Sequence, residues 1–334
     1  MPTMPRIAIA AAFSVLALAG CGGSSSDGAA PAGASGGNVR LVAYSTPREA
    51  YAKLIDLYTS GQGKGVSFDQ SYGSSGEQSR AVEAGLRADV VAFSLEPDMT
   101  HLVEPGIVAA DWNAGEHKGM VTDSVVVFVV RKGNPKGIKT WDDLTKQGVE
   151  VVTPNPFTSG GARWNVMAGY GAQLEQGKTP EQAREYLRSL FKNVVVQDKS
   201  ARESLTTFAA GKGDVLLAYE NEAIFAERQG QPLEHVVPDQ TILIENPVAA
   251  TKEASEAGKG FVEFLLTDEA QTIFGEEGYR PVSTTVLDTF DFPMPAGLFT
   301  IADVGGWETV QTEFFDRETG FMADVQRELG QPTD

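Results

Sequence analysis

Three short runs in this chain set hydroxylic residues and glycine directly after an apolar stretch, and each carries the chemistry of an anion site. In Thr153-Pro154-Asn155-Pro156-Phe157-Thr158-Ser159-Gly160-Gly161-Ala162-Arg163-Trp164 a strand-like run is stopped by two prolines, which offer no ladder donor. Thr158 or Ser159 suits a helix N-cap, and Gly160 and Gly161 carry no side chain to keep a ligand off the backbone. The product is a helix N-terminus with unpaired N–H donors at the positive end of its dipole. Ser71-Tyr72-Gly73-Ser74-Ser75-Gly76-Glu77-Gln78 repeats the pattern, with Ser75 at a helix start. Asp198-Lys199-Ser200-Ala201-Arg202 supplies a third such turn. Ser-Gly pairs also make plain turns and caps, so at the level of residues both readings stay open.

Other chemistries find little support. The 3 histidines, His101, His117 and His235, are isolated in sequence with no helical pairing, which argues against a metal site. Gly73-Ser74-Ser75-Gly76 lacks nucleophile-elbow spacing and a base, so a hydrolase is not expected, and no cofactor motif is present. The formal charge of −18 excludes a basic nucleic-acid face. It also means that long-range electrostatics repel an anion, so local dipoles must do any anion binding. An anchored adhesion domain would have no need of three Ser/Gly turns on helix starts.

The start of the chain bears on its compartment. Met1 to Arg6 is positive, Ile7 to Leu18 apolar, and Leu18-Ala19-Gly20-Cys21 closes the segment as a lipobox does. The apolar run is shorter than the about 20 residues that a bilayer span requires. Residues 1–21 are therefore expected to be a signal peptide with lipobox, Cys21 the lipid anchor on a bacterial membrane, and residues 22–37, rich in Gly, Ser, Ala and Pro, a flexible tether.

The positioning elements alternate. Strand-like runs at Val39–Ala43, Gly65–Gln70, Ala88–Ser94, Ser124–Val130, Val149–Val152, Asn193–Gln197 and Asp214–Ala218 are separated by helical stripes. Among the helices, Gln78–Leu86 and Leu205–Ala210 follow the second and third turns, and Thr179-Pro180-Glu181-Gln182 reads as a capping box. Such alternation predicts an α/β protein with parallel sheet covered on both faces, in which ligands bind beyond the carboxyl ends of strands. A first crossover between two lobes is expected at Arg131-Lys132-Gly133-Asn134-Pro135 and a return at Thr241–Ile244, giving 38–130 and 245–334 as lobe I and 131–244 as lobe II.

The same residues carry a resemblance. Asp69 to Gly76, Val129 to Lys136, Thr153 to Trp164, Leu190 to Val194, Gly213 to Leu216, Glu220 to Ala223 and Tyr279-Arg280-Pro281 resemble the periplasmic sulfate-binding proteins of sulfate/thiosulfate ABC importers. The resemblance covers most of the chain beyond the tether. It implies a type II periplasmic-binding-protein fold, with two lobes of mostly parallel sheet flanked by helices, joined by two crossover segments, closing on the ligand. It implies capture of sulfate, or of thiosulfate, for an ABC permease by a monomer that is not an enzyme and touches the membrane only through its anchor. By the same resemblance the ligand contacts are the Ser75 N–H, the Ser159 hydroxyl, the N–H groups of Gly160 and Gly161, the Ala201 N–H and Tyr219, with Arg163 and Arg202 supporting them. Tyr219 departs from the indole donor of the well-known sulfate binder, although a phenol also donates. Ser45 departs from a frequent Asp.

Overall fold

The computed structural model describes residues 36–331 and 333. Cys21, the leader and nearly all of the tether lie outside these residues. From the amino end run β1 (Asn38–Tyr44), α1 (Arg48–Ser60), β2 (Ser67–Gly73), α2 (Ser75–Glu83), β3 (Val90–Ala92), α3 (Glu96–Thr100) and the long β4 (Met120–Arg131). Then come β5 (Val151–Pro154), α4 (Gly160–Glu175), α5 (Pro180–Lys192), β6 (Val194–Asp198), α6 (Ala201–Ala209), β7 (Val215–Tyr219), α7 (Glu220–Arg228), β8 (Leu233–Val236) and the long β9 (Gln240–Ala250). The chain ends with α8 (Glu256–Leu265), α9 (Asp268–Glu276), β10 (Arg280–Pro281), α10 (Thr284–Leu287), β11 (Gly297–Phe299), α11 (Gly306–Phe315) and α12 (Phe321–Glu328).

The strands lie in the order β2-β1-β3-β9-β4-β7-β5-β6. At either end the pairing is parallel, β1 with β2 and β3, and β5 with β6 and β7, as strand-helix alternation requires. In the middle, β9 and β4 run antiparallel to their neighbours and belong to both ends. β4 pairs with β9 as far as Val125 and with β7 from Val126, so the chain crosses within one continuous strand. Its valines are buried on both faces, which is why the sequence shows an unbroken apolar run there. The expected crossover at 131–135 therefore lies beyond the real one.

Two principal cores correspond to two lobes. Around β1–β3, Leu41, Tyr51, Leu54 and Tyr58 pack on Phe261, Phe264 and Phe274 of α8 and α9. Around β5–β7, Trp141, Trp164, Leu187 and Leu190 form the other. Helix α4 is buried nearly all round, and α5 lays one apolar stripe on it, started by Thr179, whose hydroxyl accepts from Gln182 N. The packing departs from the expected division at the C-terminus. Trp307 of α11 meets Trp164 edge-on at 4.8 Å, and Phe314 meets Tyr170 at 4.8 Å, so α11 and α12 complete the second core and not the first. Each such buried aromatic contact adds about 0.5–1.5 kcal/mol beyond its area.

Candidate functional site

The carboxyl ends of six strands, the parallel sets β1–β3 of one lobe and β5–β7 of the other, open on one small cavity. It is lined by Tyr44, Ser45 and Thr46 after β1, Ser74 and Ser75 after β2, Ser94 after β3, Ser159, Gly160 and Gly161 after β5, Ala201 after β6, and Tyr219 closing β7. All six residues expected to contact ligand are thus brought together. The volume is ≈ 10 Å³, on a scale where one water needs about 10–15 Å³. In this closed arrangement the cavity is of the size of a single water, so any ligand held there is compact.

Each donor is placed by local chemistry. Helix α2 starts at Ser75, three residues earlier than the sequence predicts, and Ser74 is its N-cap. The Ser75 hydroxyl is occupied inside the protein: it donates to Asp98 Oδ2 at 2.5 Å and accepts from Ser94 N at 2.9 Å. What Ser75 presents to the cavity is its N–H. Ser159 is the N-cap of α4, yet its hydroxyl caps nothing, although the residue is buried. That hydroxyl is free for a ligand. Ser200, by contrast, caps α6 through Glu203 N and is spent on the fold. Among the described residues the N–H groups of Ser75, Gly76, Gly160, Gly161 and Ala201 have no hydrogen-bond acceptor, as first-turn donors do when nothing caps them. Three helix N-termini, of α2, α4 and α6, therefore point positive ends at one place.

Gly160 is required by proximity. A Cβ on Gly160 would stand 2.5 Å from Ser94 Oγ and 2.7 Å from Leu95 Cδ2. A Cβ on Gly161 would only touch Tyr219, Ala201 and Ser159, at the ordinary contact distance of 3.4–3.5 Å. A side chain at Gly160 would push against Ser94 and Leu95 and hold the lobes apart.

The two arginines have different surroundings. Arg202 Nε and Nη2 bind the buried Glu222, while Nη1 and Nη2 reach Glu49 of α1 at 2.8 and 2.9 Å, and Nη2 also meets the Thr46 carbonyl at 2.9 Å. It bridges the lobes at the rim of the cavity. Arg163 instead braces the turn before α4, through the Pro156 carbonyl at 2.9 Å, and reaches Gln311 at 2.8 Å. It lines a separate cavity of ≈ 580 Å³ whose walls mix Arg80 with the acids Glu96, Asp98, Glu104 and Glu308. Burial pushes the Tyr219 phenol well above its ordinary value, so it is a neutral hydroxyl at physiological pH.

Tyr44, Thr46 and Ser94 line the cavity without having been singled out in the sequence. Ser94 follows a three-residue strand and is not part of a Ser-Gly pair, so only its place after a strand end marked it.

A "Sulfate-binding protein" of Synechococcus elongatus is 41% identical over 339 residues, covering 95% of this chain and 94% of the relative. A family model described as bacterial extracellular solute-binding protein matches residues 39–280. The chain belongs to the sulfate-binding-protein family. Within this family, the solved sulfate-binding protein SubI from Mycobacterium tuberculosis H37Rv superposes with a TM-score of 0.81 at 44% identity, covering 84% of this chain and 99% of that one. A "Thiosulfate-binding protein" of Pseudomonas aeruginosa is a further relative, 35% identical over 293 residues, with 82% of this chain and 88% of the relative covered. The two-lobed architecture is thus the type II periplasmic-binding-protein fold, and the family's description assigns its members to the outside of the cytoplasm.

Proposed function

We propose that this sulfate-binding-family protein captures sulfate between its lobes and delivers it to the permease of an ABC importer, acting as a binding protein and not as an enzyme. The observation that carries this reading is the convergence of uncharged donors on one small buried cavity: the N–H groups of Ser75, Gly160, Gly161 and Ala201, the Ser159 hydroxyl and the Tyr219 phenol. Sulfate at neutral pH has only acceptor oxygens, and a site of N–H and O–H donors satisfies them without a counter-charge. Donors from both lobes meet one ion, so bound ligand favours the closed form. Arg163 and Arg202 act behind these contacts, bracing the turn and the closed cleft. Titrating the purified protein with sulfate in a calorimeter tests the reading: saturable binding at one site per chain is expected, and none refutes it. A thiosulfate titration alongside ranks the two oxyanions.

The anchor completes the proposal. Lipid modification of Cys21, the 1 cysteine of the chain, would hold the protein at the outer face of a membrane by the tether 22–37. Cys21→Ser is expected to leave the protein unprocessed or shed, and wild-type membrane retention counts against the lipobox.

A further inference from the structure

Ser94 is tied down at every atom except one. Its N–H donates to Ser75 Oγ at 2.9 Å, and its carbonyl accepts from Trp164 Nε1 at 2.8 Å and from Asn246 Nδ2 at 2.9 Å. The hydroxyl alone faces the cavity, where Ser94 Oγ and Tyr219 Oη lie 2.6 Å apart, both buried. Ser94 follows β3 of the first lobe and Tyr219 closes β7 of the second, so this contact crosses the cleft.

Counting hydrogens gives the pair a role. Two hydroxyls bring two protons, and one of them makes the bond between the oxygens. The Asn246 side chain also stands beside the Tyr219 phenol, but it faces the pair as a donor, since its Oδ1 accepts from Thr122 Oγ1 at 3.3 Å and its Nδ2 donates to the Ser94 carbonyl. The second proton is therefore left pointing into the cavity, and its natural acceptor is the oxygen of a bound anion. Either residue can be the one that delivers it, since each hydroxyl is both donor and acceptor. Deprotonation does not compete, because burial holds the phenol above its ordinary value and a serine hydroxyl does not ionise in this range.

We propose that Ser94 is a ligand-binding residue which, with Tyr219, forms an interchangeable hydroxyl pair across the cleft and supplies one O–H donor to the bound oxyanion. The inference rests on the reading of the cavity as a sulfate site. It distinguishes the pair from two independent contacts: removing one hydroxyl lets the other turn to the ligand, while removing both leaves one ligand oxygen without its donor.

The test is a double-mutant cycle on sulfate affinity in the full protein, with wild type, Ser94→Ala, Tyr219→Phe and the double variant measured by calorimetry. Both substitutions only remove atoms, and chemical denaturation of each variant reports its folding. Each single variant is expected to bind within about 2-fold of wild type, and the double to lose about 10- to 150-fold, the range for one hydrogen bond to a charged group. A purely structural contact would already be lost in either single variant, so the double would add little. Losses that simply multiply, a double no weaker than the worse single variant, or a full loss in one single variant with none in the other, overturn the pair. Absence of sulfate binding by the wild type overturns the functional reading and the inference with it, an outcome that the wild-type titration separates from the others.

Discussion

Arg202 offers the sharpest test of how closure and affinity are coupled, through the variant Glu49→Gln. Glu222 stands on the same lobe as Arg202, whereas Glu49 and the Thr46 carbonyl stand opposite, so only the latter bonds are gained on closing. The Glu49 side chain is 35% exposed and that of Arg202 22%, which makes the pair more than a surface contact but keeps it within reach of solvent. A coupling of about 1 kcal/mol, the upper end for exposed pairs, is therefore appropriate. Burial raises the Glu49 carboxyl, and the hydrogen bond and charge of Arg202 outweigh that and hold it below its ordinary value. The pair is consequently intact at neutral pH. Gln keeps the size of the side chain and one acceptor, and Arg202 keeps Glu222, so no buried charge is orphaned. If the open form dominates without ligand, weakening the closed form by about 1 kcal/mol weakens apparent sulfate affinity about 5-fold. Stopped-flow measurement should find most of that loss in the off-rate. Added salt should weaken the wild type more than the variant, since screening removes what the mutation has already removed. Equal affinities with equal salt dependence would show that Arg202 and Glu49 contribute nothing to closure.

Other expectations separate ligand chemistry from folding. Ser159→Ala should cost about 1.5–3 kcal/mol of sulfate affinity with an unchanged unfolding midpoint, because its hydroxyl caps nothing. Ser200→Ala should do the reverse, losing about 1 kcal/mol of stability with its cap. Calorimetry and denaturant unfolding check both. Gly160→Ala places a Cβ 2.5 Å from Ser94 Oγ, and overpacking of about 1–3 kcal/mol in the closed form should weaken binding about 5- to 150-fold. Unaltered affinity would mean that the lobes do not close as described. Asp123, beside Glu245 on the strands that join the lobes, is pushed up to about 7 by burial and then by that neighbour's charge. Its folded form holds a proton that the unfolded chain has released above about pH 4, so stability should fall as pH rises from about 4 to 7. Asp123→Asn should flatten that decline in denaturant melts, and an unaltered slope would refute the assignment.

The strand-turn-helix sites were legible because their chemistry is local. An N-cap residue, glycines and an apolar run lie within a few residues of one another, and Ser75, Ser159, Gly160, Gly161 and Ala201 duly line one cavity. Helix starts were read late, at Gln78 and Leu205 against the observed Ser75 and Ala201. First-turn residues with unpaired N–H groups are polar and small, so they look like loop. Ser94 escaped because its significance comes from Tyr219, 125 residues away. The crossover was misplaced for a related reason. A strand buried on both faces in two successive lobes has one continuous apolar pattern, and nothing in Ser124 to Val130 marks the change of neighbour at Val126. Likewise an apolar stripe on α11 shows that it packs, but not against which core.

An acidic protein can hold a dianion here because the carboxylates near the site are already committed. Glu222 and Glu49 are bound by Arg202, and the fully buried Glu220 by Arg280 at 2.8 and 3.1 Å. Asp98, raised by burial and lowered by Arg163 and the Ser75 hydroxyl, lies behind α2 on the wall of the larger cavity. Each partnered acid presents little net field to the cavity, whereas the exposed acids that dominate the charge of −18 are screened over about 8 Å at physiological salt. The N-termini of α2, α4 and α6 are not screened in this way, since their first-turn residues line the buried cavity itself. Short-range dipoles thus outweigh long-range repulsion. None of these arginines lines the small cavity, so on the proposed reading an anion there would be recognised by the number and direction of its acceptors and not by its charge alone.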